Sequence, residues 1–503
     1  MTTETELKFR VSPRKLSSVL RHRNSRGTRR DKSEQSLVST YFDTRKHKLR
    51  RHGLTLRVRE VDGLHVQTVK AGRSGRVTRG EWENEIAGTR PDLEKIKDTP
   101  LDQLASRKLA RKLKPVFRTD IRRTAEARRV RRSRIEFAVD RGRIGAGRLS
   151  RPVSELELEL KSGSVADLFR LARTLERKAA AELDLRSKAE RGFQLVERTG
   201  AGALHAEPIA LKHAMSPREA FRIIAHSTLR QITANADPVR EEDSEGVHQM
   251  RVGLRRLRAA ISLFKDVLPR ANTPRIKDEL KWLTSELAPA REVDVFVEES
   301  IRPIEDQDVP KRGARAIRRK FSEQRMAAFK RSRDAVNSAR YRRLLIDTME
   351  WIETGRSRGG DDRSIAAYAE DVLDRRIGKA RKQGKDLSDL DPKQRHKLRI
   401  RIKKIRYAVD FFDSLYADRD QKALETLSGR LKHIQSALGS LNDFMAHREL
   451  ATNAALHAPP ENRRAQAFAS GFIVGKEREA ACGLMKDAAK ELRRLHRLSI
   501  EPR

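Results

Sequence analysis

At 503 residues the chain has room for two to four domains, each able to bury a core. Its one cysteine, Cys482, excludes an internal disulfide framework and a cysteine-built zinc site, and no apolar run is long enough to span a membrane. The net charge is +40, with 50 Lys and Arg against 27 Asp and Glu in residues 1–200 and 61 against 44 beyond, so both halves attract polyanions.

The candidate polyanions are nucleic acid, an anionic membrane surface and phosphate chains. Only 5% of residues are aromatic, and no arginine-rich stretch is interleaved with stacking rings, which argues against single-stranded nucleic acid. The N-terminus is acidic and polar and does not read as a signal peptide. A soluble, cytoplasmic protein with no membrane partner is expected.

The first stretch, Met1 to Arg10, alternates as a strand does. Glu4, Glu6 and Lys8 share one face, and Thr5, Leu7 and Phe9 share the other. Pro13 to Leu20 reads as a short helix, and Arg21 to Gln35 as a basic loop. Leu37 to Phe42 is a strand ending at a turn on Asp43 and Thr44. Leu54 to Arg59 puts Arg57 and Arg59 on one face, with Leu54, Leu56 and Val58 opposite. A turn at Asp62-Gly63 leads to a hairpin partner, His65 to Lys70. Arg79, Glu81, Glu83 and Glu85 again share one strand face.

Asp92 to Leu113 reads as a helical insertion. Strands resume at Val116 to Arg123, Arg128 to Arg132 and Arg134 to Asp140. Ser154 to Leu160, SELELEL, is the sharpest period-two run, with Glu155, Glu157 and Glu159 against Leu156, Leu158 and Leu160. Val165 to Ala181 is an amphipathic helix, and Leu185 to Gly192 closes the domain. A row of carboxylates on one strand repels itself unless a cation or arginine is near. Acidic and basic strands of the same alternation therefore suit a closed barrel with charge inside and apolar packing outside.

These residues resemble the CYTH domain of the triphosphate tunnel metalloenzymes over about 2–199. The carriers are Glu4-Thr-Glu6-Leu-Lys8, Tyr41-Phe-Asp-Thr44, Leu56-Arg57-Val-Arg59, Lys70, Arg79 with Glu81 and Glu83, Glu157-Leu-Glu159, Ser187-Lys188 and Arg191-Gly192. The resemblance implies an eight-stranded antiparallel β tunnel with flanking helices that binds a triphosphate with Mg²⁺ or Mn²⁺. It implies that Glu4, Glu6, Asp140, Glu157 and Glu159 stand on the metal side. Lys8, Arg57, Arg59, Lys70, Arg79, Arg123 and Lys188 stand on the phosphate side, with Arg122 as an alternative to Arg123 in a slipped register. No general base is assigned.

Gly200 to Pro208 reads as a linker. Beyond it the chain is helical and repeats itself: VHQMRVGLRRLRAAISLF from Val247 parallels RHKLRIRIKKIRYAVDFF from Arg395. His248, Arg251, Arg255 and Arg258 make one stripe, and His396, Arg399, Lys403 and Arg406 make its counterpart at the same offsets. Met250, Leu254, Leu257, Ile261 and Phe264 match Leu398, Ile402, Ile405, Val409 and Phe412 as core stripes. Later, Leu287-Ala-Pro-Ala-Arg291-Glu292 parallels Leu438-Gly-Ser-Leu-Asn442-Asp443. Two all-α bundles of about four helices each, related by a pseudo-two-fold, fit the length. Thr354 to Arg363 reads as a loop between them, and Ala458 to Glu461 breaks the last helices.

This half resembles the CHAD domain over about 216–500, with Glu292 where that family usually carries Asp. The resemblance implies binding of inorganic polyphosphate without catalysis. The expected organisation of this multidomain α+β chain is a tunnel domain at 1–199, a linker at 200–215 and a helical domain at 216–503, with repeats at 216–355 and 364–500. The leading functional expectation is a metal-dependent inorganic triphosphatase carrying a polyphosphate-binding module, associated with polyphosphate granules. Thiamine triphosphatase, class IV-type adenylate cyclase and a non-catalytic polyphosphate scaffold are the alternatives.

Overall fold

The computed structural model describes residues 2–16, 32–61, 63–71, 78–197, 202–269, 271–304, 311–355, 363–384, 387–416 and 421–496. Two compact units are present. The first comprises Met1–Leu204 with Leu229–Pro238 and Val336–Gly355; the second comprises His205–Thr228, Val239–Ala335 and Arg356–Arg503. No helix among the described residues is long and apolar enough to cross a membrane.

The first unit is built on strands β1 (Thr2–Arg10), β2 (Lys32–Asp43), β3 (Leu54–Val61), β4 (Leu64–Ala71), β5 (Thr78–Ile86), β6 (Lys114–Val130), β7 (Ser133–Ala146), β8 (Leu149–Ser162) and β9 (Glu182–Leu183). Their order is β5-β4-β3-β2-β6-β7-β8-β1-β9, and β5 also pairs with β1. Eight antiparallel strands therefore close on themselves, and the two-residue β9 is added along β1.

Helices α1 (Lys48–Arg51) and α2 (Arg107–Lys112) cover one side of the sheet; α3 (Val165–Ala179) and α4 (Lys188–Val196) follow β8 and β9. Leu54, Leu56, Val58, Val69 and Ile86 pack beneath Leu49, Ile96, Leu101 and Leu109 in one apolar cluster. On β3, β4 and β5 the apolar face is thus the outer one and the charged face the lumen. A second apolar cluster, of Leu37, Tyr41, Phe117, Ile121, Ile144 and Val153 with Ala189 and Phe193, shares the inner face with Arg57 and Arg123.

Several local expectations are corrected. Val116 to Arg123 and Arg128 to Arg132 belong to one seventeen-residue strand, β6, because its neighbours β2 and β7 both run alongside it through Thr124–Glu126. Residues 32–35, read as loop, are the start of β2 and pair with β6. The insertion at 92–113 holds two 3₁₀ turns and the short α2 rather than a continuous helix. The helix expected at 13–20 is helical at 13–16; its remainder lies outside the described residues.

The remaining helices are α5 (Pro217–Ala234), α6 (Ala236–Arg240), α7 (Ser244–Leu263), α8 (Thr273–Glu286), α9 (Ala288–Phe296), α10 (Lys311–Asn337), α11 (Ala339–Thr354), α12 (Ile365–Gln383), α13 (Pro392–Phe412), α14 (Gln421–Leu456) and α15 (Arg463–His496). Helices α7 and α13 are the two repeated segments. Asp243 caps α7, accepting from the N–H groups of Glu245 and Gly246, and Asp391 caps α13, accepting from the N–H of Gln394. Their matched apolar stripes are buried throughout, and the equivalent rings of Phe264 and Phe412 meet at 6.0 Å. The expected loop at 354–363 falls mostly on residues outside those described, while a break does separate α14 from α15 at 457–462.

The first unit also draws in later chain. Arg10 Nη1 donates to both oxygens of Asp237, at 2.8 and 2.7 Å, and Arg186 Nη2 donates to Asp237 at 3.0 Å. Arg173 on α3 reaches Asp347 at 2.9 Å and Glu350 on α11, and Arg342 pairs with the buried Glu176 at 3.2 Å.

Candidate functional site

Strand register lines up the lumen. Glu6 lies opposite Glu159 and Lys8 opposite Glu157 across β1 and β8. Asp140 lies opposite Glu155 on β8 and opposite Arg123 on β6. On the other side, Tyr41 faces Arg57, Ser39 faces Arg59, and Lys70 faces Glu81. Glu4 pairs with Arg79 through the backbone of β1 and β5. The side chains of Glu4 and Arg79 lie outside the described residues.

One wall concentrates acid. Asp140, Glu155 and Glu157 are buried and bring oxygens within 4.8 Å of one another. Arg123 Nε and Nη2 donate to Asp140 Oδ1 and Oδ2, both at 2.7 Å, and Nη2 also reaches Glu157. Arg123, and not Arg122, carries the inner face; Arg122 is exposed. Lys8 stands 3.1 Å from Glu157 and 3.8 Å from Glu6. Burial alone would raise the Glu157 carboxyl, but Lys188, Lys8 and Arg123 hold it well below the usual range. Asp140 is likewise lowered: Lys188 and Arg123 outweigh its burial and the like charge of Glu157.

The facing wall concentrates cations. Lys70 Nζ donates to Glu81 at 2.6 Å, and Arg57 reaches Glu81 at 3.2 Å and Glu83 at 3.6 Å. Arg59 donates to Ser39 at 3.3 Å; the adjacent Arg57, with burial, pushes its guanidinium down to about 10. Tyr41 is buried, and Arg57, Arg59 and Lys188 together outweigh that burial and lower its phenol.

Helix α4 packs Ala189 and Phe193 against Leu37, Tyr41, Phe117 and Ile121. Phe193 meets Phe117 edge-on at 5.2 Å, and Phe117 stacks on Tyr41 at 4.4 Å. A capping box of Ser187 and Glu190 fixes the start of α4, which points Lys188 at the acids. The phosphate-side residue Lys188 therefore contacts Asp140, Glu155 and Glu157 directly. Glu155 and Glu81 were not assigned to the site from sequence. The period-two rows that hold them were the available signal.

In the second unit, α7 and α13 bring their stripes together. Arg255 lies close enough to Arg399 and Lys403 to lower both, after burial. Arg399 reaches Asp443 at 3.8 Å, and Arg251 donates to the Thr284 carbonyl at 3.2 Å. The buried Nε atoms of Arg251, Arg255, Arg399 and Arg406 find no hydrogen-bond partner among the described residues. Burial and Arg291 lower His248. Arg258 and His396 are exposed, and Arg258 adds, after burial and Arg376, to the lowering of Lys404. Asp294, which sequence reading passed over, is buried and binds Ser244, Arg325 at 3.0 Å and Arg291 at 3.6 Å.

Residues 2–193 match the CYTH domain family, and residues 223–452 match the CHAD domain family. The chain is a CYTH domain followed by a CHAD domain. An inorganic triphosphatase of Haemophilus influenzae is 34% identical over 203 residues, 39% of this chain and 55% of its own length. An uncharacterized protein of Mycobacterium tuberculosis is 25% identical over 266 residues, 51% of this chain and 49% of its own. The chain spans about half the length of the curated relatives it matches. A CHAD domain from the plant Ricinus communis aligns over 60% of this chain and 98% of its own, at 27% identity and a TM-score of 0.49. The CYTH domain thus contains the acidic cluster, and the CHAD domain contains the paired cationic stripes.

Proposed function

We propose that the CYTH domain hydrolyses inorganic triphosphate with Mg²⁺ or Mn²⁺, and that the CHAD domain binds inorganic polyphosphate. The observation that carries the first part is the pairing of walls in one closed lumen. Arg57, Arg59 and Lys70 line one side, and Glu6, Glu157 and Glu159 line the other. The carboxylate oxygens fit a hard divalent cation, which accepts a few carboxylates and substrate oxygens and keeps several waters.

Arg57, Arg59 and Lys70 bind the phosphate oxygens and offset the charge spreading over the transferred group. Glu81 and Glu83 keep Arg57 and Lys70 turned into the lumen. Glu4, Glu6, Asp140, Glu157 and Glu159 would hold the divalent ion, which would supply charge neutralisation and an oriented water. Removing one such electrostatic contact costs on the order of 3 kcal/mol in the transition state.

The name of the Haemophilus relative favours inorganic triphosphate as the substrate. The proposed division is 1–199, a linker at 200–215, and 216–503, in a cytoplasmic protein positioned on polyphosphate. The buried, unsatisfied Nε donors of Arg251, Arg255, Arg399 and Arg406 support polyphosphate binding, because a phosphate chain brings acceptors to a group of like charges.

Phosphate release from inorganic triphosphate, ATP and thiamine triphosphate, with Mg²⁺ or Mn²⁺, tests the reading in the parent and in Glu157→Gln. Rapid release from inorganic triphosphate alone, lost in Glu157→Gln, is expected. No metal-dependent release from any of the three by the parent would overturn it.

A further inference from the structure

The acidic cluster already contains a cation, and the chain supplies it. Lys188 Nζ stands 2.7 Å from Asp140 Oδ2, 2.7 Å from Glu155 Oε2 and 2.9 Å from Glu157 Oε1. It touches all three members of the group whose oxygens lie within 4.8 Å of one another. An ammonium therefore sits at the point a divalent ion would share between these carboxylates.

Its delivery is fixed by the fold. The Ser187–Glu190 capping box sets the first turn of α4, and Arg191, in the same turn, pairs with Glu155. Two cations of one turn thus engage the same fully buried carboxylate. Phe193 against Phe117 holds the other end of the helix in the lumen.

The charge balance around the cluster follows. Three carboxylates face four direct cationic contacts: Lys188, Arg123, Arg191 and Lys8. With Glu6, which Lys8 also meets at 3.8 Å, the charges balance, so a divalent ion added to this poorly screened interior finds no carboxylate in excess. Take Lys188 away and four carboxylates face three cations, with a cation-sized position open between Asp140, Glu155 and Glu157. A triphosphate provides the means, because it brings several negative charges and offers the ammonium another partner. The wall it would occupy is close: Lys188 acts on the same Tyr41 phenol as Arg57 and Arg59.

The geometry points to Lys188 as a tethered counter-ion of Asp140, Glu155 and Glu157. It yields its place when a triphosphate arrives, so the metal binds weakly alone and well together with triphosphate. This inference rests on the tunnel reading above. It makes Lys188 a positioning residue and Glu155 a carboxylate that the ammonium holds first and the ion takes over.

The test is a Mn²⁺ titration of the full chain with no phosphate compound present, following the free ion by electron paramagnetic resonance. Lys188→Met is expected to bind Mn²⁺ on the order of ten-fold or more tightly than the parent, the scale on which neighbours of a metal site tune it. Adding Glu155→Gln to Lys188→Met is expected to remove the gain. Lys188→Gln, judged by the same criteria, replaces Lys188→Met if circular dichroism finds the latter unfolded. Equal Mn²⁺ binding by parent and variant, or a gain that survives Glu155→Gln, would overturn the inference. A parent that releases no phosphate from triphosphate would remove the proposed function and leave this titration decisive for Lys188.

Discussion

Arg123 grips Asp140 across the β6–β7 ladder with two parallel hydrogen bonds of 2.7 Å. Asp140 is only 1% exposed, so the fork is the larger part of its solvation. Arg123→Ala leaves the buried carboxylate to Lys188 alone. The variant is expected to lose about 3 kcal/mol of stability, the usual scale for breaking a buried pair by removing one partner. Urea unfolding measures it, and a loss under about 0.5 kcal/mol would count against the contact.

Acid sensitivity follows from the same wall. Asp140 and Glu157 titrate lower in the fold than in the free chain, because Lys188 and its neighbours outweigh burial. Such carboxylates add stability that is complete above the unfolded value and drains away as pH falls through the folded one. Stability should therefore decline below the ordinary glutamate value of 4.5. In thermal melts from about pH 7 to about pH 3, Asp140→Asn should begin less stable yet decline less steeply than the parent. Equal slopes would show that Asp140 is not part of the acid limb.

Lys403 gives the helical domain a trend near neutrality. Burial first, then Arg399 and Arg255, push its ammonium down to about 7, with Arg406 adding to the repulsion and Asp443 opposing it. The unfolded chain holds this proton up to about 10.5, so folding stability rises with pH between the two values. Polyphosphate binding moves the other way, since the charge that attracts it is lost as pH passes about 7. Isothermal titration with polyphosphate should show affinity falling from about pH 6 to about pH 8 in the parent, and a flatter profile in Lys403→Met.

Gly192 lies against the ring of Phe117, and a methyl group at Gly192 would overlap that ring. The ring is not free to move, being stacked on Tyr41 and met edge-on by Phe193. Gly192→Ala should cost about 1–3 kcal/mol by overpacking and should lower triphosphate turnover by shifting Lys188 along with α4. Turnover and urea unfolding together decide this; an unchanged midpoint would mean the helix absorbs the methyl.

Much of the architecture was legible because a strand writes its two faces into every second residue. Arg57 and Arg59 against Leu56 and Val58, and Glu157 against Leu158, told inside from outside before any contact was known. Alternation does not encode depth along the lumen, and so Glu155 could not be told from Glu157 and Glu159. Depth is set by α4, whose Lys188 and Arg191 select the two innermost acids. The unbroken length of β6 was equally hidden, since Thr124 to Ala127 carries little strand signal of its own. It is held straight by its neighbours. On the helices, identical offsets in α7 and α13 announced two stripes. Nothing local announced that Arg258 would lie exposed while Arg251 and Arg255 have buried Nε atoms.

Asp237 lies 227 residues along the chain from Arg10, yet the two form part of one compact unit. A fragment cut at the compositional boundary near residue 200 would keep the whole barrel and lose this carboxylate, along with Asp347 and Glu350. Arg10 and Arg186 would then crowd onto Glu182 and Asp184, at the base of the strand that carries Glu6 and Lys8. Dissecting the protein by sequence family is therefore not a neutral operation. The amino-terminal half relies on counter-charges encoded downstream, and a gene that shed its second half would have to replace them.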